Sequence, residues 1–285
     1  MRARVRNGMA AGVAAVCLAA TAGCSSSSAS EEGPLATSAL PASAGSYLAI
    51  GDSMPFGTRD GESDEVYADA ANFVGYPELV GQSRGLHVLN AACPGETTAS
   101  AASGTAQDGG CSYRESYPLH VDYESAGESQ LAYAVRTLQQ QDDIELVTVQ
   151  LGANDLVKCR KNTTDRCQAE LRTTVGTARS NVSAILGRLR SDGGYAGPIV
   201  VVTYYELDLT DDVAVAQIQA LNSGLTAAAQ ANGAAVASGF DAFEPLAAAS
   251  GGNARDAGLV LPNDIHPSRE GQQLLADAVL AAAPD

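Results

Sequence analysis

Short apolar runs alternate with longer amphipathic segments along the chain, and this alternation limits the possible folds more than any other feature. Such strand and helix alternation is typical of a parallel sheet covered by helices on both faces. Five β-rich runs are predicted strands: Ser46–Ile50, His87–Asn90, Leu146–Leu151, Ile199–Tyr204 and Ala234–Ala237. Five predicted helices lie between or after them: Tyr76–Gln82, Glu128–Gln140, Gln168–Arg190, Asp212–Asn232 and Pro267–Ala282.

Local signals support the helices. Asp211 and Asp212 can cap the helix that follows them, Gly233 stands just past its end, and Pro267 is suited to the first turn of the last helix. In the longest helix an apolar residue recurs every three or four positions, which predicts one core-facing stripe. The stripe consists of Leu171, Val175, Ala178, Val182, Ile185 and Leu189.

The N-terminus has the pattern of a targeting segment. Residues 1–23 begin with three arginines, continue with a short apolar run at Met9–Ala20 and end in small residues, as signal peptides do. The apolar run is short for a membrane span. Residues 24–46 are rich in Ser, Ala, Gly and Pro and predict a flexible tether. A single catalytic domain is then expected over residues 47–285.

The signal ends at Cys24, and the sequence around this cysteine resembles the lipobox of bacterial lipoproteins. In those proteins the signal is cut before the cysteine, whose sulfur carries a diacylglyceryl group. Thr21 stands where the lipobox prefers leucine. We expect an exported cell-envelope lipoprotein anchored at Cys24, and the alternative is a plain secretory signal that yields a soluble secreted protein.

The charge balance is strongly acidic. The chain has 17 basic and 33 acidic residues and a net charge of −16, and removal of the signal with its three arginines brings the charge near −19. Such a surface repels nucleic acid and anionic lipid headgroups. No nucleic-acid partner is expected, and membrane contact is expected only through the lipid anchor.

Four cysteines remain after the signal and the anchor cysteine are set aside. An even number in an exported chain implies two disulfides, for which three connectivities are possible. We favour Cys93 with Cys111 and Cys159 with Cys167, because each pair brackets a short polar insertion. The spacing does not fit a zinc site, and no metal or other cofactor is expected.

Four segments carry residues suited to chemistry. Gly51, Asp52 and Ser53 follow the first strand directly. NAACPGETT (90–98) follows the second strand, LGANDL (151–156) follows the third, and NDIHPS (263–268) precedes the last helix. A parallel sheet gathers the ends of its strands at one edge, where open α/β sheets bind ligands.

Acyl transfer needs the groups that these segments contain. A serine hydroxyl becomes a good nucleophile when an imidazole takes its proton, and His266 is the best base for Ser53. The tetrahedral intermediate needs hydrogen-bond donors for its oxyanion. The backbone N–H groups of Ser53 and Gly95 and the side-chain amide of Asn154 can supply them.

Together the four segments resemble the blocks of the SGNH, or GDSL, hydrolase family, which is named for a Ser, a Gly, an Asn and a His. The matching residues are Ser53, Gly95, Asn154 and His266, and the resemblance extends from about Tyr47 to Ala282. It implies a three-layer α/β/α sandwich with a flavodoxin-like central parallel sheet of about five strands. The cysteines beside the second and third blocks look like those of secreted actinobacterial members.

Two residues depart from the family pattern. Met54 replaces the usual leucine, a change that conserves volume. Members commonly place the third triad residue, an aspartate, three positions before the histidine, but Asn263 stands there and Asp264 stands two before. Asp264, the Asn263 side chain or a backbone carbonyl could orient His266, and we favour Asp264, because a carboxylate also stabilises the imidazolium.

A second serine motif does not predict a nucleophile. Residues 81–85 spell GxSxG, but the nucleophile elbow with that pattern follows a strand and precedes a helix. Here the predicted helix comes first, so Ser83 is expected at a helix C-terminus. His87 and His120 have no accompanying catalytic groups and are expected to be structural or solvated.

The function expected from these observations is a serine carboxylic ester hydrolase of the esterase or lipase type. Ser53 forms the acyl-enzyme and His266 acts as base, with small-molecule, lipid or carbohydrate esters as substrates. A polysaccharide O-deacetylase and a non-catalytic ligand-binding envelope lipoprotein are the alternatives. The polar insertion over residues 93–126 is expected to shape the pocket, and the protein is expected to be a monomer.

Overall fold

A five-stranded parallel sheet forms the centre of the molecule. The computed structural model describes residues 45–104 and 109–283, so the predicted signal, Cys24 and the tether up to residue 44 lie outside the described residues. The strand order is β2-β1-β3-β4-β5, and all four neighbouring pairs are parallel. The strands are β1 (Ser46–Gly51), β2 (His87–Asn90), β3 (Ile144–Gln150), β4 (Ile199–Val202) and β5 (Ala235–Ala237).

Helices cover both faces of this sheet. In chain order they are α1 (Ser53–Phe56), α2 (Asp64–Tyr67), α3 (Tyr76–Arg84), α4 (Thr98–Ser103), α5 (Gln130–Gln140), α6 (Ala153–Asn162), α7 (Leu171–Ser191), α8 (Asp212–Ala231), α9 (Gly239–Ala249) and α10 (Arg269–Ala282). One layer contains α3, α9 and α10, while α5, α7 and α8 pack together in the other. The predicted three-layer α/β/α fold is therefore confirmed.

The main core lies between the sheet and the two helical layers. Every residue of β1 is buried, as expected for a central strand covered on both faces. In α7 the predicted stripe is fully buried from Ala178 to Leu189, whereas Leu171 and Val175 are only half-buried. Full burial of one such side chain contributes roughly 1.5–3 kcal/mol.

A second, smaller apolar cluster lies outside the main core. We call it the loop cluster; it joins two connections, residues 57–75 and 109–127, that contain no strand. Its buried residues are Phe56, Ala70, Phe73 and Ala92, and Val66, Tyr67, Tyr113 and Leu119 pack against them. The two connections therefore share one packed interior.

Side-chain caps explain where several helices begin. The Asp211 carboxylate accepts a hydrogen bond from the Ala214 N–H at the start of α8, and Gly233 takes a left-handed φ of 63° after its end. Ser268 caps α10 by accepting from the Gly271 N–H. The expectation that Pro267 lies in the first turn was wrong, because the capping serine follows the proline and the helix starts at Arg269.

Several elements differ from the prediction. β3 begins at Ile144, two residues earlier than predicted, and β4 ends at Val202, two residues earlier than predicted. The helix α9 was missed since Pro245 lies inside it, and proline usually breaks a helix. Among residues 45–104 and 109–283 the structure contains no helix with the length and hydropathy of a membrane span.

Candidate active site

Three of the four motif segments leave the sheet on neighbouring strands. β1 lies between β2 and β3, so Ser53, the loop containing Gly95 and the start of α6 with Asn154 follow adjacent strand ends. The register pairs Ala49 with Asn90 on one side and Gly51 with Gln150 on the other. The sheet thus brings the three segments together at its carboxyl edge.

Asp52 holds the turn that presents Ser53. Its buried carboxylate accepts hydrogen bonds from the Met54 N–H at 3.0 Å and from the Tyr204 hydroxyl at 2.6 Å. Burial raises the pKa of Asp52 to about 6, although both hydrogen bonds oppose the increase. Ser53 is half-buried at the first position of the one-turn helix α1. Its local conformation therefore depends on a carboxylate inside the protein.

Gly95 and Asn154 come from the strands on either side of β1. Gly95 has a φ of 81°, a left-handed conformation that glycine adopts without strain. The Asn154 side-chain amide donates a hydrogen bond to the Glu96 carbonyl oxygen at 2.9 Å. This bond ties α6 to the loop that contains Gly95.

Asp264 and His266 form a close buried pair. Asp264 Oδ1 lies 2.6 Å from His266 Nδ1, and both residues are 4% exposed. Asp264 also accepts from the backbone N–H groups of His266 at 3.0 Å and Asp60 at 2.8 Å. Although burial opposes it, hydrogen bonding from His266 and Asp60 holds the pKa of Asp264 well below its usual range. The carboxylate is therefore ionised beside the imidazole.

Asn263 stands at the position where the family commonly has its aspartate. It is exposed, has a φ of 57°, and makes no hydrogen bond to His266 within the described part of the chain. The left-handed turn at Asn263 lets the next residue, Asp264, face the imidazole. Arg255 donates from Nε and Nη2 to the Asp264 carbonyl oxygen at 2.9 and 2.6 Å, which fixes this loop further.

A second carboxylate lies near His266. Asp60 Oδ1 is 3.8 Å from His266 Nδ1, and the Asp60 side chain is 61% exposed. Asp60, Asp264 and His266 each have a potential metal-ligand atom, and these atoms lie within 4.8 Å of one another. This is the one cluster among the described residues that could hold a metal ion. Within this cluster His266 Nδ1 is hydrogen-bonded to Asp264 Oδ1.

An apolar pocket adjoins these residues. Its volume is about 130 Å³. Its lining includes three residues that are adjacent in sequence to Ser53, Asn154 and His266, respectively: Met54, Ala153 and Ile265. The Tyr205 hydroxyl donates to the Ile265 carbonyl oxygen at 2.6 Å and thereby holds one wall. The lining residues are Met54, Ala153, Leu156, Val157, Arg160, Tyr204, Tyr205, Glu206, Leu207, Ile218 and Ile265. None of them belongs to the insertion over residues 93–126 that was expected to shape the pocket.

The remaining serine and histidines lie apart from this site. Ser83 is exposed in the last turn of α3, as expected. His87 is exposed at the start of β2. The His120 Nε2 atom lies 3.0 Å from the Phe56 carbonyl oxygen, and its ring packs on the Phe56 ring. His120 thus packs against Phe56 of the loop cluster.

Both disulfides connect the pairs favoured from the sequence. Cys93 is joined to Cys111 and Cys159 to Cys167, with Cα–Cα distances of 5.4 and 5.3 Å. The first bridge begins two residues before Gly95 and ties that loop to the insertion. The second joins Cys159 of α6 to Cys167 in the segment between α6 and α7. Each bridge thus constrains a connection next to a motif segment.

Several residues of the site were not predicted from the sequence. Asp60, Glu96, Gln130 and Tyr204 were not singled out, although each contacts a motif residue or its backbone. Glu96 stands inside the NAACPGETT segment and could have been noticed as an acidic residue in an otherwise uncharged stretch up to residue 98. The other three carry no sequence signal, since their partners are distant in the chain.

The fold and this arrangement define the class of α/β/α ester hydrolases. Residues 49–274 match the model of the GDSL-like Lipase/Acylhydrolase family, and the chain belongs to that family. The resemblance identified from Ser53, Gly95, Asn154 and His266 is therefore confirmed at the level of the family. No curated protein matches the chain significantly.

Solved structures share the fold at low sequence identity. A phospholipase A1 from Streptomyces albidoflavus NA297 is 18% identical, with a TM-score of 0.55 and coverage of 84% of this chain and 100% of that one. An acetylxylan esterase from Geobacillus stearothermophilus is 16% identical, with a TM-score of 0.53 and coverage of 85% and 96%. At these identities the likeness shows the fold.

Proposed function

We propose that the chain is a serine carboxylic ester hydrolase that works through an acyl-enzyme at Ser53. The observation that carries this assignment is the 2.6 Å contact between Asp264 and His266 at the sheet edge where β1 presents Ser53. An ionised carboxylate on Nδ1 leaves Nε2 as the atom that takes a proton. This arrangement is suited to activating a serine hydroxyl.

The reaction follows in two balanced halves. His266 Nε2 takes the Ser53 hydroxyl proton while Oγ bonds to the ester carbonyl carbon, and the proton then passes to the alcohol as the ester C–O bond breaks. In the second half a water gives its proton to His266 and attacks the acyl carbon. The acid leaves, and Ser53 regains its proton. Asp264 stabilises the imidazolium formed in each half.

The oxyanion formed in both halves needs preorganised donors. The Ser53 and Gly95 N–H groups and the Asn154 amide lie on the segments gathered around β1. Removing one such donor in other hydrolases costs about 10²–10³ in turnover. The Asn154 amide is already oriented by its bond to Glu96, so little reorganisation is needed when charge develops.

The pocket beside the site favours acyl chains longer than acetyl. Its volume of about 130 Å³ is close to the roughly 150 Å³ of an engineered apolar cavity that holds a benzene molecule. An acyl chain of about four to six carbons would fill it on this scale. We therefore infer a preference for short to medium acyl chains over acetylated sugars or long-chain lipids.

Labelling with a fluorophosphonate tests the nucleophile. We expect wild-type protein to be labelled at Ser53, and Ser53→Ala to lose labelling and at least about 10⁴-fold of its activity. The matched control is Ser83→Ala, which removes the other candidate serine and should leave both unchanged. Folded wild-type protein that stays unlabelled would overturn the proposed function and favour a ligand-binding protein.

Rates on a series of p-nitrophenyl esters test the substrate class. We expect kcat/KM to rise from acetate to butyrate or hexanoate and to fall again by dodecanoate, because a longer chain leaves the pocket. Acetylated xylo-oligosaccharides serve as the comparison. Faster turnover of these sugars than of hexanoate would favour the polysaccharide O-deacetylase alternative.

We further propose that the protein is exported and anchored through Cys24. The targeting pattern of residues 1–23 and two disulfides in the folded part support this placement, since disulfides persist mainly outside the cytosol. Metabolic labelling with an alkyne fatty acid should mark the full chain, and Cys24→Ser should abolish the label. An unlabelled, exported wild-type protein would favour the soluble secreted form.

A further inference from the structure

Glu96 is a buried carboxyl group next to the proposed oxyanion hole. It follows Gly95 directly, is 2% exposed, and stands on the loop between β2 and α4. Glu96 is not the acid, the base or the nucleophile of the proposed mechanism. A carboxyl group removed from water is costly unless its oxygens are hydrogen-bonded, so its partners show what it does.

Both carboxyl oxygens of Glu96 have partners. Ser100 Oγ donates to Oε1 from the first turns of α4. Gln130 Nε2 donates to Oε2 at 2.9 Å from the first residue of α5. Gln130 is 1% exposed. The Glu96 side chain therefore links two helices underneath the loop that contains Gly95.

Gln130 extends this link to the strand that carries the nucleophile. Its Oε1 accepts from the Gly51 N–H at 2.9 Å, and its Nε2 donates to the Gly51 carbonyl oxygen at 2.8 Å. Both backbone groups of Gly51 are thus held by one side chain, two residues before Ser53. The clamp is independent of the strand ladder, because Gln130 belongs to a helix.

The backbone of Glu96 completes the connection. Its carbonyl oxygen accepts from Asn154 Nδ2 at 2.9 Å, and its N–H is covalently adjacent to Gly95. We propose that Glu96 and Gln130 are positioning residues that hold the three oxyanion donors in register with one another. This inference rests on the proposed ester hydrolase function, because it concerns the donors of that reaction.

Gly110 closes the space around this pair. A Cβ on Gly110 would lie 3.0 Å from Glu96 Oε1 and would collide with Ser100 Oγ. The next residue is Cys111, whose disulfide to Cys93 fixes the insertion above the loop. The site around Glu96 is therefore closely packed on a side that the active-site pocket does not reach.

The charge state of Glu96 gives the proposal a pH-dependent test. Burial raises the pKa of Glu96 to about 7, and the hydrogen bonds from Ser100 and Gln130 oppose the increase. Arg114 and Tyr123 are the other titratable groups that interact with it. At pH values above about 7 the carboxyl group is ionised, and its charge disfavours a second negative charge on the neighbouring oxyanion.

Kinetics of four variants test the pair. We expect Glu96→Ala and Gln130→Leu each to lower kcat roughly 10- to 100-fold with KM within about twofold, because the donors act mainly in the transition state. The matched control is Gln139→Leu, an exposed glutamine of the same helix α5. The double variant Glu96→Ala/Gln130→Leu should cost less than the product of the single losses, since the two act as a unit.

Glu96→Gln separates a positioning role from a merely structural one. It keeps an acceptor for Gln130 and removes the charge, so kcat should match wild type at pH 6 and exceed it progressively above pH 7. Thermal unfolding midpoints measured on all variants identify any variant that fails to fold.

Three results would each contradict the inference in whole or in part. An unchanged kcat in the folded variants Glu96→Ala and Gln130→Leu would contradict the positioning role and leave the proposed function intact. A Glu96→Gln profile that parallels wild type from pH 6 to 9 would remove the role of the charge. Wild-type protein without esterase activity or fluorophosphonate labelling would instead overturn the proposed function, and the inference with it.

Discussion

The Asp264 carboxylate lies 2.6 Å from His266 Nδ1, although a single residue separates the two in sequence. Oδ1 also accepts from the His266 N–H at 3.0 Å, so the aspartate and the histidine are joined through both the ring and the backbone. The left-handed turn at Asn263 makes this close approach possible. The proposed acid therefore stands one position later in sequence than in the family pattern, and its carboxylate still reaches the imidazole.

Replacement of this carboxylate should impair catalysis strongly. We expect Asp264→Asn to lower kcat by up to about 10⁴-fold, because an amide neither fixes the tautomer nor stabilises the imidazolium. Steady-state kinetics on p-nitrophenyl butyrate measure the loss. Asn263→Gly keeps the positive φ of the turn and is the control, with activity expected within about twofold of wild type. A larger loss in the control than in Asp264→Asn would show that Asn263 orients the base.

Removal of the second carboxylate should shift the pH profile slightly. Asp60→Asn keeps the backbone N–H that binds Asp264 and removes a charge 3.8 Å from His266 Nδ1. We expect the acidic limb of kcat/KM to move to lower pH by less than about one unit, because exposed charges interact by about 0–1 kcal/mol. The shift should shrink in 0.5 M salt. A shift towards higher pH would contradict this expectation.

Loss of the Tyr204 hydroxyl should destabilise the protein in a pH-dependent way. The pKa of Asp52 is raised by burial to about 6, above its unfolded value, so the buried charge lowers stability as pH rises through this range. Tyr204→Phe removes a donor to that charge. We expect a cost of about 1–3 kcal/mol at pH 8 and a smaller cost at pH 5, where the carboxyl group is protonated.

Urea unfolding at the two pH values measures this difference. Tyr195→Phe is the matched control, because its hydroxyl donates to the Pro198 carbonyl oxygen and not to a carboxylate. Its cost should be the same at both pH values. Equal costs of Tyr204→Phe at pH 5 and pH 8 would show that Asp52 does not titrate between them.

Filling the pocket should change chain-length preference. Val157 is half-buried on α6 and lines the 130 Å³ pocket, so Val157→Phe should reduce kcat/KM for hexanoate by at least about tenfold relative to acetate. Lys161→Phe places the same ring on the exposed face of the same helix and should leave the ratio unchanged. An unaltered ratio in Val157→Phe would place the acyl chain elsewhere.

Loss of the Cys93–Cys111 disulfide should reduce activity as well as stability. The bridge joins residues 18 positions apart, and closure of a loop of about this length contributes roughly 3 kcal/mol in the chain-entropy model. The Cys93→Ser/Cys111→Ser variant also frees Gly110, which packs against Glu96 and Ser100. We expect kcat to fall below that of the Cys159→Ser/Cys167→Ser variant when both are assayed well below their unfolding midpoints.

The parts of the fold that could be predicted depend on local patterns. All five strands and the main helices carry periodic apolar residues or caps, and the motif residues follow strand ends directly. Gln130 and Asp60 could not be found in this way. Gln130 lies 79 positions from Gly51, and Asp60 lies 204 positions from Asp264. Their roles arise from tertiary contacts, which leave no periodicity in the sequence.

The third member of the proposed triad could be predicted only in part from the sequence. Residue spacing placed three possible partners near His266, and chemistry favoured the carboxylate. The observed loop has a positive φ at Asn263, which the sequence does not determine, since asparagine also adopts ordinary right-handed and extended conformations. Contacts from Arg255 and Asp60 stabilise the observed loop.

The loop cluster has a consequence for engineering. Phe73 from one connection and Tyr113 from the other both contact the Phe56 ring, so the two connections share a single apolar interior beside the sheet. Grafting one connection from a relative would leave the apolar side chains of the other connection without their packing partners. Exposed apolar side chains of this kind promote aggregation. Chimeric libraries built on this scaffold should therefore exchange residues 57–75 and 109–127 together, as a co-inherited unit.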